Sequence, residues 1–173
     1  GAIEPWGVFV TRMKSDIVPW TPEGPDELHC VQPGTFSGFL MVFSTRNGEP
    51  LAMMNDGILH HLRVAAGAAL GVKYLARADA SVVGMIGSGG MARAYLPAFR
   101  EVRRISKVKV YSSTKAHRES YAEEMSRELG IPVEPFDRAE PVVRGSDIVA
   151  TCTDSTGLVI TNPSWIEKGM HLA

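Results

Sequence analysis

A glycine-rich turn near the middle of the chain has the residue types and spacing that bind phosphate groups. It follows the pattern GxGxxG/A and consists of Gly87, Ser88, Gly89, Gly90, Met91 and Ala92. The first glycine permits a tight turn, the second lets the backbone approach a pyrophosphate, and the small Ala92 lets a helix pack on a sheet. The free amides and the helix dipole then face the phosphates, so the turn predicts a dinucleotide site. The alternative is a strand-to-helix connection that binds no ligand.

The end of the second predicted strand indicates which dinucleotide is bound. An NAD-binding protein usually has Asp or Glu there, which holds the ribose 2′-hydroxyl. Between Tyr111, near the end of that strand, and Glu119 this chain has no Asp or Glu. It supplies hydroxyl and basic side chains at Ser112, Ser113, Thr114, Lys115 and Arg118. These groups suit a 2′-phosphate, so we expect NADP, with NAD possible. The alternative is that Ser113 and Thr114 only cap a helix and the basic side chains are solvated.

Strands and helices alternate around these residues, from residue 80 to residue 173. Apolar runs predict strands at 81–86, 106–112, 131–136 and 147–153, and the start of a fifth at 168–173. Helices are expected from about residue 90 and over 115–129. This alternation implies a parallel sheet with right-handed crossovers. We therefore predict an α/β fold with a Rossmann-type domain at 80–173, incomplete at its C-terminal end and with about five strands.

Several residues predict where the helices of this domain begin and end. Pro97 falls inside the first helix and removes a backbone hydrogen bond, so we expect a kink or an early helix end there. Thr114 can cap the second helix, and Gly130 can end it. Asp137 and Glu140 have the spacing of a capping box for a further helix.

The end of the fourth predicted strand is a second candidate contact with the cofactor. Ligands of open α/β sheets bind beyond the carboxyl ends of the strands, so Thr151, Cys152 and Thr153 should lie near the crevice. Cys152 and Cys30 are far apart in sequence and form no CxxC pair. This pattern favours reduced thiols in a cytoplasmic protein, with one disulfide as the alternative.

Residues 1–79 predict part of a second domain, of α+β type. A strand is expected at 6–15, a loop at 20–34 and a β-hairpin at 36–56, where Asn47-Gly48 supplies the positive φ of a tight turn. A long helix is expected at 57–79. Its predicted buried face consists of Leu59, Leu62, Ala66, Leu70 and Tyr74.

Composition excludes several classes of function. The 173 residues are 45% hydrophobic and 21% charged, which is typical of a globular protein with a substantial core. The net charge of −1 lacks the basic excess of a nucleic-acid binder. We expect no membrane span and no metal site, because the apolar runs are too short and the five histidines have no ligand spacing. His60 and His61 would point about 100° apart on a helix, so we interpret them as ordinary helix residues.

Stretches at 44–95, 145–155 and 165–173 together resemble the ornithine cyclodeaminase/mu-crystallin family. The combination is specific: the hairpin sequence NGEPLA, the helix sequence LRVAA leading to KYLAR, and the glycine turn directly after it. The resemblance covers nearly the whole chain and is weakest at 16–35. It implies a homodimer active in amino acid metabolism, in which a Rossmann domain binds NAD(P) and a second domain supplies substrate contacts and the dimer interface.

The resemblance also implies two catalytic residues. Arg63 matches the family's substrate arginine, whose guanidinium could clamp the carboxylate of an amino acid. The next residue is Val64 in place of the usual Thr, so a nearby hydroxyl contact is lost. Lys14 matches the family's active-site lysine, which would hold the substrate carboxylate or assist proton transfer. A solvated strand end is the alternative for Lys14.

The implied chemistry is hydride transfer between a nicotinamide and the Cα of an amino acid or imine. A cyclodeaminase, which is a lyase, continues with attack by a terminal amine and loss of ammonia, whereas a ketimine reductase or amino acid dehydrogenase stops at net redox. The family's catalytic aspartate and an upstream arginine would fall outside residues 1–173, so we expect the middle of a longer protein. The alternatives are an NADPH and small-ligand binding protein of mu-crystallin type, and a shikimate dehydrogenase-like enzyme.

Overall fold

The computed structural model describes residues 1–14, 20–21, 24–25, 38–153, 155 and 157–173. Packing divides them into two units, Gly1–His60 and His61–Ala173. This division falls inside a helix, and the domain limit expected between residues 79 and 80 stays a prediction. Most of the predicted loop at 20–34, including Cys30, lies outside the described residues.

The first unit contains a four-stranded antiparallel sheet. Its strands, in spatial order, are β1 (Ala2–Ile3), β2 (Val8–Met13), β5 (Phe39–Ser44) and β6 (Pro50–Asn55). A separate short pair joins β3 (Trp20–Thr21) to β4 (Gly24–Pro25). The core of the strand predicted at 6–15 is therefore confirmed as β2. The guanidinium of Arg12, a residue of β2, pairs with the buried carboxylate of Asp56.

Strands β5 and β6 form the predicted hairpin, but its loop is wider than a two-residue turn. The amide of Ser44 donates to the carbonyl of Glu49 at 2.8 Å, which closes a loop of four residues. Among the described residues only glycines have positive φ, and Gly48 has φ 75°. The positive φ expected of the Asn47-Gly48 pair is thus confined to the glycine, while the Asn47 side chain accepts from the Glu49 amide at 3.2 Å.

Helix α1 (Gly57–Leu75) confirms the predicted helix and ends four residues earlier than expected. The predicted buried face is wrong, because Leu62 is 55% exposed and Tyr74 is 72% exposed. Small side chains are buried instead, at Ala65, Ala69 and Val72. Short side chains let a helix pack closely on its neighbours, so the face of α1 with the small residues is the one that packs on the core.

The second unit contains a five-stranded parallel sheet, which confirms the Rossmann-type fold. Its strands are β7 (Val82–Ile86), β8 (Lys107–Tyr111), β9 (Val133–Phe136), β10 (Ile148–Thr151) and β11 (His171–Leu172). The spatial order is β11-β10-β7-β8-β9. Counted along this unit, that order is 5-4-1-2-3, which is the Rossmann order. The order of the strands reverses between the first and the fourth strand of the unit. Ligands bind beyond the carboxyl ends of the strands at this switch point.

The helices of this unit confirm some predicted ends and correct others. Helix α2 (Gly90–Val102) continues through Pro97, so the early end is wrong. Helix α3 (Lys115–Leu129) begins and ends as predicted, although the Thr114 hydroxyl caps no amide among the described residues. Helix α4 (Glu140–Val143) begins after Ala139, so the capping box from Asp137 is wrong.

Asp147 holds the amino-terminal edge of this sheet together. Its carboxylate accepts from the amides of Ser81 and Val82, at 2.8 and 2.9 Å, and from the guanidinium of Arg77. Partial burial opposes ionisation, but the two amides and the Arg77 cation outweigh it and lower the pKa of Asp147. Nearby, Arg103 donates to carbonyls at the end of α1, at Lys73, Ala76 and Arg77. This set of bonds ties α1 to the start of the sheet.

Candidate functional site

The glycine turn leaves β7 at Gly87, where the backbone accepts no other residue. Gly87 is buried and has φ 108°, a conformation that favours glycine. A Cβ there would collide with the carbonyl oxygen of Cys152 and lie 2.6 Å from its carbonyl carbon. The amide of Cys152 in turn donates to the carbonyl of Ile86 at 2.7 Å. The ends of β7 and β10 are therefore in direct backbone contact.

Gly89 contrasts with Gly87, because the space beside it is open. Apart from Gly89 and its two chain neighbours, no described residue has an atom within 4 Å of the position that a Gly89 Cβ would take. Gly89 is exposed and precedes the first turn of α2, whose amides lack partners within the helix. Ala92, one turn further, is fully buried against the core. Open space beside uncapped amides is the cradle that a pyrophosphate needs, so the turn fits a dinucleotide.

The side chain of Arg93 braces this turn from inside α2. Its guanidinium donates to the carbonyl of Ser88 and makes two contacts with one carboxylate oxygen of Glu124 on α3, at 2.9 and 2.6 Å. It also lies 5.4 Å from the centre of the Tyr121 ring. The hydroxyl of Tyr121, a buried residue, donates to the carbonyl of Ala92 at 3.1 Å. These contacts point the Ser88 carbonyl toward α2 and α3 and leave the opposite side of the turn to its amides.

The end of β8 presents the predicted hydroxyl and basic groups. Ser113, Thr114 and Lys115 are exposed, and Ser112 is half-buried. Arg118 folds back over this segment and donates to the carbonyl of Ser112 at 3.0 Å. The Lys115 ammonium lies 3.7 Å from Glu119, an exposed pair that contributes little to stability. The structure thus gathers these residues at the carboxyl edge of the sheet, beside the glycine turn.

The end of β10 reaches the same edge, with Thr151 and Thr153 exposed and Cys152 half-buried. The Cys152 side chain packs on the hydrophobic core, and burial raises the pKa of its thiol to about 12. Cys152 is therefore a protonated thiol at neutral pH. The roles of Thr151, Cys152 and Thr153 as cofactor contacts stay predictions.

Lys14 belongs to the first unit and Arg63 to the second. Lys14 follows β2 and is exposed. Arg63 is exposed on α1, about 160° around the helix from buried Ala65. Their catalytic roles stay predictions.

His61 is a residue at this site that the sequence interpretation missed. Its ring lies against Gly90, the first residue of α2. A spacing signal was present, because His61 is four residues before buried Ala65 and shares its face of α1. The apolar periodicity of α1 does not reveal it, because the bulky side chains mark a different face of the helix.

Within the described part of the chain, no three His, Cys, Asp or Glu residues cluster in a way that could hold a metal ion. None of the helices in that part is both long and apolar enough to cross a bilayer.

Comparison with known proteins identifies the family of this chain. The profile of the ornithine cyclodeaminase/mu-crystallin family matches residues 23–173. Delta(1)-pyrroline-2-carboxylate reductase of Bacillus cereus is 31% identical over 138 residues, which are 80% of this chain and 42% of that protein. Alanine dehydrogenase of Archaeoglobus fulgidus is 34% identical over 141 residues, with the same two coverages. The chain thus spans about two fifths of the length of these curated relatives.

A solved structure agrees with these relatives. Delta(1)-pyrroline-2-carboxylate reductase of Thermococcus litoralis, in complex with NADH and L-proline, is 30% identical to this chain. It superimposes with a TM-score of 0.78, over 98% of this chain and 54% of that one.

Proposed function

Since the chain belongs to the ornithine cyclodeaminase/mu-crystallin family, we propose that it supplies the cofactor site of a nicotinamide-dependent oxidoreductase. The substrate class is a 2-imino acid, preferably cyclic, or the corresponding amino acid. The observation that carries the proposal is the glycine turn, with Gly87 packed on Cys152 and open space at Gly89. The names of the relatives support the substrate class, because imine reduction and amino acid dehydrogenation both transfer hydride at Cα.

The residues of this chain would divide the work between holding the cofactor and holding the substrate. A bound nicotinamide would supply or accept the hydride. The amides at residues 88–91 would hold the diphosphate, and the backbone at 151–153 would border the crevice. Arg63 would clamp the substrate carboxylate through two parallel N–H groups. Lys14 would hold a substrate carboxylate or assist proton transfer.

The cofactor preference within this proposal is NADP(H). It is supported by hydroxyl and basic groups at Ser112–Arg118 and by the lack of an acid at the end of β8. The Arg118 guanidinium is already held at this edge by the Ser112 carbonyl. Titration of both cofactors tests the preference. Replacing Lys115 or Arg118 with Ala should weaken NADP more than NAD, and equal or tighter binding of NAD to the unaltered protein would contradict it.

The activity itself is tested by following the nicotinamide absorbance. Purified protein is mixed with NADPH or NADH and with pyrroline-2-carboxylate or piperideine-2-carboxylate, and in the reverse direction with proline, alanine and ornithine. Oxidation of the cofactor by a cyclic imine supports the proposal. Release of ammonia from ornithine without net redox would instead identify a cyclodeaminase. Cofactor binding without turnover of any substrate would favour the binding-protein alternative.

We also propose that the protein acts as a homodimer in the cytoplasm. Exposed apolar side chains on β6, Leu51, Met53 and Met54, favour an interface between protein copies. The unpaired Cys152 thiol fits a reducing compartment. Light scattering on the purified protein checks the dimer.

A further inference from the structure

Helix α1 directs the side chain of His61 at the glycine turn. His61 lies one helical turn before Ala65, so it extends the buried stripe of α1 toward the start of α2. Its neighbour His60 is rotated by about 100° and belongs to a different face. Two histidines that look equivalent in the sequence therefore have different surroundings.

The ring of His61 meets the turn with the edge that carries both nitrogens. A Cβ placed on Gly90 would lie 2.6 Å from Cε1, 3.1 Å from Nδ1 and 3.3 Å from Nε2. The absence of a side chain at Gly90 is what lets the ring approach. Both polar atoms of the imidazole thus lie beside the first residue of α2.

This arrangement collects hydrogen-bond donors. The start of α2 presents amides without partners in the helix and the positive end of the helix dipole. An imidazole adds at least one N–H, and two when it is protonated. Donors that converge beside open space match an anion, and Gly89 supplies that space.

We propose that His61 is a binding residue for the diphosphate of the dinucleotide, donating a ring N–H to a phosphate oxygen. This inference rests on the proposed function, because it assumes that the turn binds a dinucleotide. It adds a side-chain donor to a site that the glycine pattern describes only through backbone amides.

Binding measurements test the proposal without reference to turnover. Isothermal titration calorimetry gives the Kd of NADPH and of ADP-ribose, which has the diphosphate but no nicotinamide. Loss of one hydrogen bond to a charged group should raise both Kd values about ten- to a hundredfold in His61→Ala. His61→Gln keeps an N–H donor and should recover part of the loss. His60→Ala is the matched control and should bind like the unaltered protein.

A second pair of variants tests the contact with Gly90. Gly90→Ala places a methyl group against the ring and should weaken ADP-ribose about as much as His61→Ala does. In the double variant the ring is gone, so the added methyl should cost little more. Thermal unfolding of each variant shows that the protein is folded during the titration.

The outcomes separate the two proposals. If the unaltered protein binds neither ligand, the proposed function fails and this inference fails with it. If the unaltered protein binds both and His61→Ala binds them equally well, only the role of His61 is refuted. A loss for NADPH without a loss for ADP-ribose would place the histidine at the nicotinamide half and would also refute the diphosphate contact.

Discussion

Replacing Arg93 with alanine tests whether a side chain holds the glycine turn in shape. In the structure this guanidinium joins three places: the Ser88 carbonyl in the turn, Glu124 on α3 and the face of the Tyr121 ring. Alanine removes all three contacts. It leaves the small Ala92 and the amides of the turn unchanged, so any loss of binding reports on the shape of the turn.

The magnitude follows from how exposed each contact is. The side chains of Arg93 and Glu124 are 34% and 39% exposed, so their ion pair contributes about 0–1 kcal/mol after solvent screening. The charge-assisted bond to Ser88 contributes about 1.5 kcal/mol. We therefore expect Arg93→Ala to lower the free energy of unfolding by about 1–3 kcal/mol and Tm by roughly 2–12 °C. Freeing one backbone residue of the turn costs about 1–2 kcal/mol on rebinding, which is on the order of tenfold in cofactor Kd.

Thermal unfolding and titration with NADPH measure the two effects. Glu124→Gln is the matched control, because it removes the ion pair and leaves the bond from Arg93 to Ser88. It should lose less than about 1 kcal/mol and keep its cofactor affinity. Arg93→Ala with reduced Tm but unchanged Kd would refute the view that Arg93 shapes the turn.

Three further expectations concern other parts of the molecule. Gly89→Val should fold, since the backbone of residue 89 is extended with φ −84° and the space beside it is open. Titration should detect no cofactor binding to this variant, because the isopropyl group fills the space that the pyrophosphate needs. Normal cofactor affinity would disprove the assignment of this turn. The lowered pKa of Asp147 means that its carboxylate stabilises the fold above its unfolded pKa of about 4, and that this contribution is lost as pH falls through its folded pKa. Urea unfolding should therefore show a smaller loss of stability in acid for Asp147→Asn, and identical pH profiles would contradict this. Arg63→Ala and Arg63→Lys should both lower kcat/KM for a carboxylate substrate about ten- to a hundredfold without changing cofactor Kd, because lysine cannot replace the two-pronged contact; intact kcat/KM would make Arg63 an ordinary helix residue.

The glycine turn and the order of elements around it could be predicted because both are local signals. A strand, a turn with GxGxxA and a helix follow each other within a few residues, and their alternation fixes a parallel sheet. The hairpin was equally visible, but its loop length was not. Asn47 next to Gly48 predicted a tight turn without fixing its length, and the Ser44 amide closes a loop of four residues on Glu49.

The face of α1 was mispredicted for a physical reason. Periodicity marked the bulky residues Leu62, Leu70 and Tyr74 as one stripe, but it does not say which stripe meets the sheet. The stripe of Ala65 and Ala69 packs there, because close approach favours small side chains. The same error concealed His61, whose position follows only from the correct face.

The bonds of Asp147 lie at the amino ends of the strands, while the glycine turn lies at their carboxyl ends. Five residues of β7 separate the two edges by about 16 Å. Substitutions that far apart usually combine additively, so each edge can be altered with little effect on the other. Selection for heat resistance can therefore act near Arg77, Arg103 and Asp147 while selection for a different cofactor acts at residues 112–118. In this chain, thermal stability and cofactor specificity can therefore evolve independently of each other.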